Sequence, residues 1–107
     1  MRNAELIKIL YECAAECNKC AGACLDEQDV KVMVKSIRLD FICATTCTAT
    51  AQALSVNSED VKGLIYFCWE ICKKCANECA KHEVQHCNDC AEACKKCAEA
   101  CGKYEPW

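Results

Sequence analysis

Fifteen cysteines in 107 residues, spaced by threes and fours, carry most of the chemistry this chain can do. Cys13, Cys17, Cys20 and Cys24 step by four, three and four. Cys68, Cys72, Cys75 and Cys79 repeat those steps 55 residues later. Cys87, Cys90, Cys94, Cys97 and Cys101 alternate threes and fours as well, and Cys43 and Cys47 stand four apart. Such steps return a side chain to one face of an α-helix. The thiols therefore occupy the seam that Leu, Ile or Val fills in an ordinary bundle. One or two buried cysteines would be small hydrophobes and nothing more. Fifteen on three or four columns are not, because Ala or Val would fill the same space without the redox liability. A disulfide scaffold is the other plain reading, and an odd number of cysteines cannot all pair within one chain.

Soft thiolates select Cu(I), zinc or iron–sulfur clusters. Side chains at i and i+3 or i+4 start from Cβ atoms about 5–6 Å apart, so two sulfurs on one helix can grip an ion between them. That suits Cu(I), which is content with two or three thiolates. Zinc prefers four ligands in a tetrahedron. The bacterial ferredoxin run C-x2-C-x2-C-x3-C-P is not matched, since the nearest run here is C-x2-C-x3-C-x2-C-x3-C and the lone proline is Pro106. The spacing favours many ions along a tube over one closed cluster, with Cu(I) the leading reading. A zinc or cadmium buffer of the metallothionein kind and an iron–sulfur electron carrier stand as the alternatives.

Other ligand types gather at one point of the chain. His82 and His86 lie four apart between two helical stretches, and Met33 should reach the same end of an antiparallel bundle. Imidazole and thioether both bind copper, so these three residues read as a mouth where Cu(I) is first held. The plain alternative is two solvated junction histidines and a core methionine. Leu6, Leu10, Leu54, Leu64 and Ile65 would close the opposite end as a dry plug. Asp40, three before Cys43 and seven before Cys47, falls on the sulfur seam. A buried carboxylate is costly unless paired, so a lysine partner is expected there, with a minor role as a hard ligand the lesser reading. Tyr66 and Trp69 fall on the outer face of their helix and point to a subunit contact.

The elements that must position these residues are helices. The pattern predicts one domain over 1–107, with helices at about 4–28, 30–54, 58–82 and 84–101. Asp29 is the expected N-cap of the second helix and Ser58 of the third. Gly102 stands where a C-cap glycine belongs, with Pro106 beyond it. Short connections make neighbours antiparallel, which gives an all-α, antiparallel up-down-up-down four-helix bundle with a cysteine-lined core. Leu, Ile, Val and Phe number only 20, so sulfur and alanine must supply much of the interior.

Composition removes several function classes. Sixteen acidic residues against 13 basic ones, with a pI near 5.4, leave no basic footprint for nucleic acid. No apolar run approaches the roughly 18 residues of a membrane span. The start, Met1 to Lys8, has no uninterrupted apolar core of a secretion signal, so a cytoplasmic location with reduced thiols is expected. There is no Ser/His/acid triad and no pair of catalytic carboxylates. Three glycines, Gly22, Gly63 and Gly102, cannot build a phosphate loop. The chain reads as a binding protein, not an enzyme.

The repeated C-x3-C-x2-C-x3-C helices, the segment Ser36 to Asp40, and the stretch from Glu78 through His82 to His86-Cys87 resemble the bacterial copper storage proteins. The resemblance covers nearly the whole chain, and the missing export signal is similar to their cytosolic branch. It implies a four-helix bundle that fills its core with Cu(I) and assembles as a homotetramer. Family members often carry cysteine where Ser36 stands, which implies a sulfur-poor second helix and a lower capacity here.

Overall fold

The computed structural model describes residues 3–104. Among them it holds four α-helices and no strand: α1 Ala4–Leu25, α2 Val34–Ser55, α3 Val61–Cys79 and α4 Gln85–Gly102, with a 3-10 turn at Val30–Met33 before α2. The backbone of each helix lies against two neighbours, in the cycle α1, α2, α3, α4 and back to α1, and diagonal helices meet only through side chains in the core, as Cys43 of α2 and Cys94 of α4 do. Antiparallel directions follow from the sulfur pairs. Cys13 and Cys17 meet Cys94, whereas Cys20 meets Cys87. Cys43 meets Cys72, whereas Cys47 meets Cys68. The bundle measures 46 × 20 × 19 Å.

The first three helices are shorter than the pattern predicts, for local reasons, while α4 keeps the predicted length shifted by one residue. α1 stops at Leu25, three residues early, and the N–H groups of Asp26 and Glu27 bond back to the carbonyls of Ala23 and Cys24. Val30, Val32 and Val34 then stand in five residues. β-Branched side chains lose rotamer freedom in an α-helix, and this stretch coils into a 3-10 turn instead. Asp29 accordingly caps that turn through its backbone carbonyl and not α2. Asn57 adopts a left-handed conformation (φ 53°), which Asn tolerates better than most residues. Ser58 then accepts a hydrogen bond from the Asp60 N–H at 3.1 Å, so the serine closes a turn ahead of a helix that begins at Val61. α3 ends at Cys79, which leaves His82 on the connection to α4.

Gly102 does not act as a left-handed cap. It is the last residue of α4, and no glycine among the described residues has positive φ. It packs beside Trp69: a Cβ at Gly102 would lie 3.4 Å from the indole nitrogen, an ordinary van der Waals contact. Trp69 is thus half-buried beside the end of α4, with the Lys73 ammonium 4.0 Å from its ring, and is not the outward residue expected. Tyr66 is exposed as expected. Pro106 lies outside the described residues.

At the end formed by the start of α1 and α3 and the finish of α2, the interior is aliphatic. Leu10, Leu54 and Ile65 are buried, joined by Ile7 and Val61, with Leu6 packed against them and Leu64 only half-buried. From there to the other end the axis is lined mainly by sulfur, with Ser36 and Asp40 of α2 buried among the cysteines.

Candidate metal centre

All fifteen cysteines are buried and reduced, none more than 4% exposed. α1, α3 and α4 bring them inward by the three–four periodicity of their buried faces. The inner face of α2 is different: Ser36, Asp40, Cys43, Cys47, Thr50 and Leu54 are its buried positions at that spacing. Thr50 spends its hydroxyl on the Thr46 carbonyl at 2.7 Å and offers nothing to the core.

Sulfurs touch along the whole axis. Starting from the plug, Cys101 interacts with Cys68 and Cys97. Cys68 lies 3.7 Å from Cys47 and 3.8 Å from Cys72. Cys43 lies 3.5 Å from Cys72 and 3.9 Å from Cys94. Cys94 is 3.5 Å from Cys17 and 3.9 Å from Cys90. Nearer the mouth, Cys20 is 3.9 Å from both Cys24 and Cys87. A metal–sulfur bond of about 2.3 Å places the sulfurs of a trigonal site about 4 Å apart. The column therefore holds metal-ready spacings before any ion arrives. Donor sets overlap as well. Cys13, Cys47, Cys72 and Cys97 form one group with ligand atoms within 4.8 Å, and Cys13, Cys17, Cys43 and Cys94 form another.

Asp40 interrupts the sulfur. It is fully buried, and its Oδ1 accepts thiol hydrogens from Cys75 and Cys90, both at 3.2 Å, and from Cys79 at 3.7 Å. The lysine partner expected from the sequence is not among its contacts. Lysines lie on outer faces, and Lys35 and Lys81 reach Glu78 instead, at 3.6 and 3.2 Å. Burial first, and then the charge of Cys90, push the Asp40 carboxyl up to about 7. Its Oδ2 and the hydroxyl of Ser36, one turn earlier, are buried without partners. With Cys20, Cys79 and Cys90, Asp40 forms a mixed sulfur–oxygen group that fits a metal ion.

At the mouth the two histidines separate. His86 turns Nδ1 toward the sulfurs, 3.6 Å from Cys20 and Cys87 and 3.9 Å from Cys24, and forms a donor group with those three. Its Nε2 lies 2.8 Å from Oε2 of Glu27. The thiols of Cys24 and Cys87 are raised, burial being the largest cause in both, Cys87 to about 12. His82 Nε2 sits 3.6 Å from Glu78 Oε2 and is buried without a hydrogen-bond partner. Met33 is 4% exposed and belongs to the same buried cluster as the cysteines. Sequence reasoning missed both glutamates. Glu78 was legible, one helical turn before His82. Glu27 was not, since it meets His86 across 59 residues.

A model of the copper storage protein family matches residues 1–106 of the chain. A Cu(I)-bound copper storage protein, BsCsp3, superposes with a TM-score of 0.91 at 35% identity, over 95% of this chain and 96% of the other. A cytosolic copper storage protein of Streptomyces lividans, bearing five coppers, gives 0.90 at 40% identity over 94% and 88%. The cysteine-rich protein YhjQ of Bacillus subtilis is 38% identical over 85 residues, 79% of each chain. With its sulfur column, its four helices and a match over nearly its full length, this chain belongs to the copper storage protein family.

Proposed function

We propose that this protein stores Cu(I) in the cytosol, holding many ions on the thiolates of its core. The observation that carries the proposal is the continuity of the sulfur column, from Cys68 at the plug to Cys24 and Cys87 at the mouth. Shared donors matter here. Cys13 and Cys17 each serve two four-membered groups, so four private ligands per ion would leave groups unfilled, while two or three bridging thiolates would not. That sharing and the softness of the donors favour Cu(I) over zinc. The role is sequestration and not catalysis. All fifteen cysteines are the proposed ligands, with His82, His86 and Met33 at the mouth and Asp40 as a minor donor.

The S. lividans relative is described as cytosolic, and in the cytosol thiols stay reduced, which supports the same location here. No helix among the described residues is long and apolar enough to cross a membrane. We infer a homotetramer. The outer surfaces of α2 and α3 carry Phe41, Ile42, Tyr66 and Phe67, each 46–62% exposed, and exposed large apolar side chains of this kind favour a subunit contact. Three of the four are residues that the sequence reading did not choose.

The test is Cu(I) titration of the reduced apoprotein, with its mass in solution measured alongside. Saturation should come at many ions per chain, close to one per thiolate. Saturation at one or two ions would remove the storage reading, and a monomeric mass would remove the tetramer. Protein that is brown, or that carries zinc, as isolated would favour the iron–sulfur or zinc alternative.

A further inference from the structure

The two mouth histidines stand four residues apart in sequence, yet only His86 is held in place. We propose that Glu27 is a positioning residue that fixes His86 in one tautomer, so that its Nδ1 receives Cu(I) between Cys20 and Cys87. This rests on reading the mouth as the point where Cu(I) is first held, and it adds a residue to that reading.

A neutral imidazole carries one N–H and one lone pair, and its partners decide which nitrogen has which. A carboxylate only accepts. With Oε2 of Glu27 at 2.8 Å, the hydrogen belongs on Nε2. The lone pair is then on Nδ1, which already faces Cys20 and Cys87 at 3.6 Å and Cys24 at 3.9 Å. With metal bonds of about 2.0 Å to nitrogen and 2.3 Å to sulfur, a trigonal site separates N from S by about 3.7 Å. The ring therefore waits at ligating distance. Without the glutamate it could turn over about χ2 or place its hydrogen on Nδ1, and either change removes the lone pair from the sulfurs.

The local chain supports this arrangement. α1 ends at Leu25, and the Glu27 N–H bonds to the Cys24 carbonyl, which turns the segment back over the mouth. Glu27 is half-buried there, so it is tethered rather than free in solvent. His82 supplies the contrast. Its Nε2 is 3.6 Å from Glu78, too long for a hydrogen bond, and Glu78 is occupied by Lys35 and Lys81.

The experiment compares the reduced full chain with Glu27→Ala, His86→Ala and the double variant. Long-range ¹H–¹⁵N spectra of histidine-labelled apoprotein at pH 8 read the tautomer. Stopped-flow uptake from a Cu(I)–chelator complex reads the loading rate. The parent should show His86 with its hydrogen on Nε2, and Glu27→Ala should show a mixture. Glu27→Ala should also load about tenfold more slowly, the lower end of the range for losing such a partner, with capacity unchanged. The double variant should load no more slowly than His86→Ala. An unchanged tautomer and rate in Glu27→Ala, while His86→Ala is slow, would overturn the proposal alone. So would an equal slowing by Glu27→Ala in the His86→Ala background, which would make Glu27 a surface charge acting by itself. An unaltered rate in His86→Ala would defeat the mouth reading, and this inference with it.

Discussion

The two ends of the bundle are built from opposite materials. At the plug, Ile7, Leu10, Leu54, Val61 and Ile65 meet as ordinary aliphatic core. Each such side chain is worth about 1.5–3 kcal/mol when fully buried. At the mouth, the interior or its rim holds His82, His86, Glu27, Glu78 and Asp40, several with unsatisfied or ion-paired atoms. Stability is concentrated at one end and chemistry at the other. On the proposed reading the difference gives the tube a direction, with ions exchanged at the end where the two histidines meet water.

The helices carry a second contrast. α1 and α3 repeat their cysteines at identical spacing, but α2 and α4 diverge, with two buried sulfurs on α2 and five on α4. Ser36 and Asp40 on α2 face the mouth half, whereas Thr50 and Leu54 lie toward the plug. The sulfur-poor helix is thus where polar groups enter the core.

The largest way to test the comparison is to fill the tube. Reduced apoprotein should be helical by circular dichroism, because the plug and the protonated thiols hold it together. Cu(I) should then raise its melting temperature by tens of degrees, since each native-state site contributes about 4 kcal/mol when free ligand is a thousand times its Kd. A random-coil apoprotein would mean that the plug alone does not secure the fold.

Acidity probes the other end. The Asp40 carboxyl titrates near 7 in the folded protein and near 3.8 when unfolded. Between those values the native state holds more protons than the unfolded state. Apoprotein stability from this group should therefore fall as pH rises from about 4 to 7, by up to about 1.4 kcal/mol per pH unit, and level off above. Asp40→Asn should flatten that slope in denaturant titrations across the window. A slope that survives the substitution would move the polar liability away from α2.

Leu10→Ala and Cys94→Ala separate stability from capacity. The first should cost the apoprotein about 3 kcal/mol while leaving copper stoichiometry intact. The second should cost about 1 kcal/mol and lower the number of bound ions, as measured by chelator competition. Equal effects of both variants on capacity would erase the distinction between plug and tube. The smallest effect is expected at His82. His82→Ala should slow loading by less than His86→Ala and leave total copper unchanged, because its ring is not clamped toward the sulfurs.

Much of this was legible without coordinates. Three–four spacing marks a helix face whatever surrounds it, so Cys13 through Cys101 announced four inward seams, and Leu10, Leu54 and Ile65 a closed end. Helix ends were less legible, because Val30, Val32 and Val34 favour a tight turn that hydrophobic spacing does not report. Outward aromatics misled in part. Trp69 tucks beside Gly102 only because α4 happens to finish there, a fact that belongs to two helices at once.

The sequence by itself determined which residues share a helix face, since a period of 3.6 is a local property of the backbone. It could not determine what crosses between helices. Asp40 looked like half of a lysine pair, but three thiols from α3 and α4 surround it. Glu27 fell inside the predicted first helix with no role assigned, but it stands past the end of α1, 2.8 Å behind a histidine 59 positions away. Those contacts depend on where α1 stops and how its last turn bends back over the mouth. Periodicity carries no information about such distances, and only the packed bundle sets them.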